Sequence, residues 1–412
     1  MAAFMRDLLC FLGLATVSLL PSQAAASDLD PTLAVGIFSG QRLLACAITS
    51  QGPLTLQDPR GTTAAKLPPG AAVRFEAAED QVAFSCAQSG AAGRGERYLL
   101  VSSDPLQVTP DGAKSRAYRG RLQLSARQGR LVLINLVALE DYLRGVLPSE
   151  IPSRFEPAAL QAQAIAARTY ALVTAGRHRA DGCDLCDALH CQVYLGMAEE
   201  NPRTDAAISA TTGLVVTYEG KPIHAVYHDC CGGRTAANET AWSGSQPLPY
   251  LRPVRDGEET SSLCSHSPRA VWTRQLPQAR LAAALAAYRV SAPISSFEPA
   301  DCDDNGRPRA FRIRGGGGEV TILAGVLRAA LNQALGPDTL PSADFTAAPN
   351  GDSIVFAGRG SGHGVGLCQW GANAMAQQGK SASDILTHYY TGAAVEPLSA
   401  EIVRRLGRQA TG

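Results

Sequence analysis

Pro157-Ala-Ala-Leu-Gln-Ala-Gln-Ala-Ile-Ala-Ala-Arg-Thr-Tyr-Ala-Leu-Val-Thr-Ala175 divides this sequence into two kinds of chain. Alanine gives up no side-chain entropy in a helix, and Pro157 suits a first helical turn, so the stretch reads as a helix. Before it, from Thr32 to about Asn135, short runs such as Leu33-Ala-Val-Gly-Ile-Phe38, Arg97-Tyr-Leu-Leu-Val101 and Arg130-Leu-Val-Leu-Ile-Asn135 alternate with Gly, Pro and Asp, the pattern of strands and turns. After it, Thr212 to Tyr218 and Ile223 to Tyr227 read as a hairpin turned at Glu219-Gly220. Further helices are expected at Gln278 to Arg289, Thr321 to Leu335 and Gly371 to Gln378. The fold class is therefore α+β, with a β-rich N-terminal part. The polar interval Gly257 to Pro268 reads as a surface excursion.

The chain has 412 residues, 45% of them hydrophobic, enough for two globular domains or one large elaborated one. Lys plus Arg and Asp plus Glu both number 37, and no long run of one sign occurs, which excludes charge-driven binding to nucleic acid or an anionic membrane. Residues 1–26 read as a secretory signal: Arg6 in the n-region, an apolar stretch from Leu8 to Leu20, and small residues at Ala24-Ala25-Ala26. The stretch is shorter than the ~20 residues that span a bilayer, and no later segment is apolar enough. The expectation is an exported protein of the periplasm, envelope or exterior, beginning near Ser27, with no transmembrane segment once mature.

Removing Cys10 with the signal leaves Cys46, Cys86, Cys183, Cys186, Cys191, Cys230, Cys231, Cys264, Cys302 and Cys368. An even number in an exported chain makes disulfides the default expectation. Cys183, Cys186 and Cys191, with His178 and His190 nearby, also have spacings compatible with zinc, and both readings stand.

Three constellations can carry chemistry. Gln161 and Arg168 are seven residues apart on the predicted helix and so share a face, about 20° apart, while Gln163 and Tyr170 fall on another. Just before the helix, Pro148-Ser-Glu-Ile-Pro152 reads as a turn whose prolines stiffen the backbone around Glu150. A rigid, half-buried Glu suits acid catalysis; a Glu there equally suits capping or pairing at the helix start. Gly358-Arg-Gly-Ser-Gly-His-Gly-Val-Gly-Leu-Cys-Gln-Trp-Gly371 has six glycines, which permit close backbone approach to a ligand or simply turn a packed loop. Its spacing is not that of a dinucleotide fingerprint. Finally, His228-Asp-Cys-Cys-Gly-Gly-Arg-Thr235 offers a Cys-His pair, a thiol nucleophile or a bridging cysteine, and Trp242 beyond it suits sugar stacking or a core position.

Read together, Leu139-Glu-Asp-Tyr-Leu-Arg-Gly-Val-Leu-Pro-Ser-Glu150, Ala159 to Tyr170, Cys191-Gln-Val-Tyr194, Gly232-Gly-Arg-Thr235 with Trp242 and Pro249-Tyr-Leu251, and Gly362 to Ala372 with His388-Tyr-Tyr390 resemble the SpoIID/LytB family, the sporulation and amidase-enhancer proteins of bacterial cell walls. The resemblance covers about Tyr118 to Val395. It implies a mixed core over residues 116–396 with a few helices and a groove between subdomains, preceded by a β-rich region, 27–115, and followed by a tail, 397–412.

The activity it implies is that of a lytic transglycosylase cutting peptide-stripped peptidoglycan glycan strands to 1,6-anhydro ends, with Glu150 as the single acid/base and no cofactor required. Attack by the sugar's own C6 hydroxyl removes the need for the second carboxylate of a hydrolase, for which Glu140 and Glu156 are the nearby candidates. The resemblance also implies Gln161, Arg168, Tyr194, His363 and Gln369 as groove residues, Gln161 standing where a Lys is common. It implies a structural zinc on His178, Cys183, Cys186 and Cys191, and a Cys231–Cys264 disulfide. Two other functions stay open: a glycan-binding enhancer of a separate N-acetylmuramoyl-L-alanine amidase, and a Cys or zinc hydrolase built on Cys230 and His228.

Overall fold

Leu122 and Leu124 alternate with more exposed neighbours along Arg121–Arg127, the period-two pattern of a strand with one face in a core. Gln128 and Gly129 both take positive φ, the geometry of a tight hairpin turn, and the chain folds back antiparallel as Arg130–Ala138. These two strands sit in a seven-stranded sheet in the order Leu185–Cys186, Thr32–Ile37, Arg130–Ala138, Arg121–Arg127, Arg97–Val101, Leu54–Gln57, Thr63–Leu67. A six-stranded sheet runs Arg116–Tyr118, Leu106–Pro110, Ala45–Ser50, Val73–Ala78, Gln81–Cys86, Ala91–Gly95. Leu56, Leu100, Leu122 and Leu124 of the first and Ile48, Val73, Phe75 and Val108 of the second share one core. Strands on both sides of residue 116 belong to these sheets, so the sheets run across that position. The structure, a computed structural model, describes residues 30–258 and 261–401; the expected signal, 1–26, and residues 402–412 of the expected tail lie outside the described residues.

The described residues form eight α-helices: α1 (Leu139–Glu150), α2 (Pro157–Thr174), α3 (Pro202–Ala210), α4 (Asn238–Ala241), α5 (Gln278–Ala284), α6 (Ala324–Leu335), α7 (Gln369–Gln377) and α8 (Ala382–Tyr389). The α+β expectation holds. Helix α2 is the hub: Ala159, Ala162, Ala164, Ala166, Ala167 and Ala171 are buried all round it, and their small size lets α1, α3, α7 and α8 pack against it. The turn expected at Pro148-Ser-Glu-Ile-Pro152 is instead the last turn of α1, which contains Pro148 and ends at Glu150, with Ile151 extended.

Glu219 and Gly220 turn the expected hairpin with positive φ, but its return strand is only Lys221–Pro222. Tyr227–His228 instead pairs in parallel with Leu367–Cys368, bringing the His-Asp-Cys-Cys segment beside the glycine-rich loop. Gly257 to Pro268 lies at the surface, with Glu258, Ser261, Ser265, His266 and Pro268 exposed, but it turns Cys264 and Ser267 inward. The two later helices are shorter than expected, because Ala286–Tyr288 is a separate 3-10 turn and Thr321 to Leu323 belong to a strand. They contribute to a second hydrophobic core that includes Trp272, Leu281, Phe297, Phe311, Leu327 and Phe356. The chain enters and leaves this unit at one place, where Gly360 N–H donates to Ala270 O over 3.0 Å. A Cβ on Gly358 would collide with the Trp272 indole there, which is why glycine is required. No described helix is long and apolar enough to cross a membrane.

Candidate active-site cleft

Helix α1 delivers Glu150 to the floor of a cleft of about 800 Å³. Its Oε1 accepts a 2.8 Å hydrogen bond from Val193 N–H, and no described residue bonds Oε2 or pairs a cation with the carboxylate. Burial raises the carboxyl above its ordinary value, opposed by the Val193 bond, so Glu150 keeps its proton to a higher pH than an exposed glutamate does. Gln369, the first residue of α7, fixes the backbone beneath: its Nε2 donates to Glu150 O at 2.9 Å and to Gln163 Oε1 at 3.3 Å. Beside it, Gln192 Nε2 donates to Tyr227 Oη (3.0 Å) and Ala167 O (3.3 Å), while Tyr142 Oη donates to Gln192 Oε1 (3.2 Å). Burial pushes both phenols well up, so they stay neutral.

The opposite wall is aromatic. The Trp242 ring lies 4.9 Å from His363, which lies 5.5 Å from His228, and Trp242 is 39% exposed, a flat apolar face open to the cleft. His228 Nδ1 donates to Val365 O (3.0 Å), and burial holds this imidazole down to about 3; His363 Nδ1 accepts from Val365 N–H (3.1 Å), and burial holds it to about 4. Both rings are neutral. Because unfolded histidines take up protons near pH 6.5 and these refuse them until far lower, stability should be full above about pH 7. It should fall as pH drops from 6.5 toward 4, on the order of 2 kcal/mol from each ring at pH 5. Urea unfolding midpoints at pH 7 and pH 5 check this.

Of the residues expected in the groove, Glu150, His363 and Gln369 line the cleft, and Gln161, Arg168 and Tyr194 do not. Arg168 is fully buried. Its Nε and Nη2 each bond Glu140 at 2.7 Å, and it donates to Leu214 O (3.2 Å) and Ile208 O (3.4 Å). Tyr194 Oη donates to Asn135 Oδ1 (2.8 Å), its ring between Tyr118 and Tyr142. The helix faces are reversed from expectation: the Gln163 and Tyr170 side of α2 is the one turned to the cleft. Glu140 is spent on Arg168, and Glu156 flanks α2 outside the lining with its N–H on Asn373 Oδ1 (2.8 Å). Neither is a second carboxylate for the cleft.

Two further charged groups line it, Arg177 and Asp229, to which the sequence assigned no role. Arg177 Nη1 donates to Tyr170 Oη (3.1 Å) and His190 O (2.8 Å), and Asp229 lies 3.9 Å from Arg269. Arg177 follows just after α2 ends, and its sequence signal is the spacing of seven residues from Tyr170. Cys230 and His228 form no nucleophilic pair, because Cys230 Sγ lies toward Cys264 O (3.8 Å) while His228 Nδ1 is taken by Val365 O.

The candidate metal ligands are His178, Cys186, His190 and Cys191, whose donor atoms all lie within 4.8 Å of one another. His190 Nδ1 is 3.1 Å from His178 Nε2, 4.0 Å from Cys186 Sγ and 3.9 Å from Cys191 Sγ, spacings that suit a closed tetrahedral two-nitrogen, two-sulfur zinc site. Cys183, expected among the ligands, instead packs its sulfur against Gly36, and His190 takes its place. Cys231 and Cys264, the expected bridge, lie side by side with their sulfurs 3.6 Å apart.

The profile of a family described as Stage II sporulation protein, SpoIID, matches residues 127–218. Stage II sporulation protein D of Bacillus amyloliquefaciens is 33% identical over 62% of this chain and 73% of its own length. The chain belongs to the stage II sporulation protein D family. The Bacillus subtilis (strain 168) protein of that name is 28% identical over 78% of this chain and 91% of its own length. An amidase enhancer of the same organism is 30% identical over 61% of this chain but only 39% of its own length. The residues matched by the SpoIID profile hold α1, α2, Glu150, Val193 and the His178 cluster, one wall of the cleft, whereas Trp242 and His363 of the other wall lie outside them.

Proposed function

We propose that this protein acts in the bacterial cell wall as a lytic transglycosylase, cleaving peptide-stripped glycan strands to 1,6-anhydro ends with Glu150 as acid/base. The observation that carries this reading is a half-buried carboxylate, unpaired by any described cation and fixed through one oxygen, at the floor of a cleft with an aromatic wall. Protonated Glu150 gives its proton to the glycosidic oxygen as the C1–O bond breaks. The C6 hydroxyl of N-acetylmuramic acid then attacks C1, and its proton passes to the Glu150 carboxylate, which restores the acid. Water takes no part, so one carboxylate completes the cycle.

Trp242 supplies a stacking face for a sugar ring, and Trp242→Ala is expected to raise KM by roughly 10-fold with little change in kcat, about 1.4 kcal/mol of binding. Steady-state kinetics on strands of defined length would check it. Incubating the full chain with denuded glycan strands and weighing the products tests the reaction type. Ends lighter by one water than hydrolysis products support transglycosylation. Hydrolytic ends abolished by Asp229→Asn would instead make Asp229 the second carboxylate of a hydrolase.

A relative named amidase enhancer supports a second reading, a glycan-binding partner of an amidase, for which binding without any new ends is the expected result. In either case His178, Cys186, His190 and Cys191 would hold a structural zinc, with all four positions filled by protein, keeping in place the loop whose Val193 N–H fixes Glu150. Export by the residue 1–26 signal belongs to the same proposal.

A further inference from the structure

Four side chains outside the cleft chemistry meet behind the His-Asp-Cys-Cys segment. Cys231, Asp256, Cys264 and Cys368 are all buried, and three sulfurs and a carboxylate oxygen lie within 4.8 Å of one another. Cys231 and Cys264 sulfurs are 3.6 Å apart, close to the ~3.7 Å edge of a tetrahedron with Zn–S bonds of about 2.3 Å. The donors come from three separate stretches: the loop after Tyr227–His228, the polar interval around residue 260, and the residue preceding α7.

The groups around them are arranged for anions. Cys368 Sγ accepts from Cys231 N–H (3.3 Å) and Gly371 N–H (3.4 Å), the latter in the first turn of α7, where the helix favours a thiolate. Ser262 Oγ lies 3.1 Å from Cys264 Sγ. Asp256 Oδ2 accepts from Cys264 N–H (3.1 Å) while Tyr389 Oη donates to Oδ1, so the carboxylate is oriented from behind. Backbone donors on sulfur and a hydroxyl on the carboxylate are how metal ligands are aimed. No described ion pair reaches Asp256.

We propose that Cys231, Cys264, Cys368 and Asp256 form a buried structural site for a zinc-like divalent cation, distinct from the His178 cluster. Two disulfides among Cys230, Cys231, Cys264 and Cys368 would leave Asp256 enclosed with no cation beside it, whereas a cation uses Asp256 and three of the thiols. Cys230, in contact with the Cys264 carbonyl, is left as a spare thiol. With four protein ligands the site is closed to substrate. It ties the Tyr227–His228 strand to α7, whose first residue Gln369 holds the Glu150 carbonyl. This proposal is independent of whether the protein cuts glycan.

The test is the metal content of the full chain loaded with zinc and freed of excess, together with a peptide map of the unreduced protein. Wild type is expected to keep one more equivalent of zinc than Cys264→Ser and Asp256→Asn, while His178→Ala lowers zinc only through the other cluster. On cobalt, wild type should show thiolate charge-transfer absorption that Cys264→Ser diminishes. Should either variant fail to fold, wild type alone decides. A disulfide joining any two of Cys230, Cys231, Cys264 and Cys368, or metal content that His178→Ala reduces to none, overturns the site.

Discussion

Glu150→Gln is expected to lower turnover of denuded glycan by about 10²–10⁴-fold, the range for removing a general acid, while the cleft keeps its shape because glutamine still accepts the Val193 N–H bond. The same substitution should stabilise the protein at neutral pH. Burial raises the folded carboxyl above its unfolded value, so the associated stability is fully present below the unfolded value and is lost as pH rises through the folded one. Ionised Glu150 is therefore a stability cost at pH 7 that glutamine lacks, and the melting-temperature difference should vanish in acid. In the wild type, kcat/KM should fall with rising pH at a value above that of an ordinary glutamate. Activity of the variant within 10-fold of wild type would remove Glu150 from the reaction, whatever happened to stability.

Glu140→Leu is expected to destabilise the fold by about 3–5 kcal/mol, because it strands the Arg168 guanidinium in the interior with only the Leu214 and Ile208 carbonyls. Adding Arg168→Met should recover a large part of the loss, since an apolar pair of similar volume carries no buried charge. Denaturant unfolding of the single and double variants measures both. At a temperature where the double variant is folded, its KM for glycan should match wild type. A KM raised 10-fold or more would return Arg168 to the groove.

These two carboxylates mark where sequence legibility ends. The span of α2 was readable to within a residue, because an alanine run has few alternatives to a helix. Which face of it meets a ligand was not. Seven-residue spacing says that Gln161 and Arg168 lie together, but burying Arg168 depends on Glu140, one helix earlier, and on the carbonyls of Ile208 in α3 and Leu214 just beyond it. The zinc ligands were ambiguous for a related reason: His178, Cys183, Cys186, His190 and Cys191 all have workable spacing. It is the pairing of Leu185–Cys186 alongside Thr32–Ile37 that turns Cys183 toward Gly36 and leaves His190 to the cluster. Likewise the interval around Cys264 reads as surface, and Ser261, Ser265 and His266 are exposed, but the inward turn of Cys264 onto the buried Asp256 depends on contacts that polarity does not reveal. Glu150 was legible as a residue, and the residues around it were not.

The meeting of Ala270 with Gly360 separates the history of the cleft from the length of the chain. Closing a flexible connection costs only the logarithm of its length, about 0.6 kcal/mol for each doubling. Loops within the unit built around Trp272 and Phe356 can therefore lengthen or shorten, but its Arg307 also braces the cleft wall, Nη2 donating to Cys231 O (3.2 Å) and Arg234 O (3.0 Å). A gap between relatives in these loops is consequently a change of attachment, whereas loss of Arg307 would remove a brace behind the His363 loop.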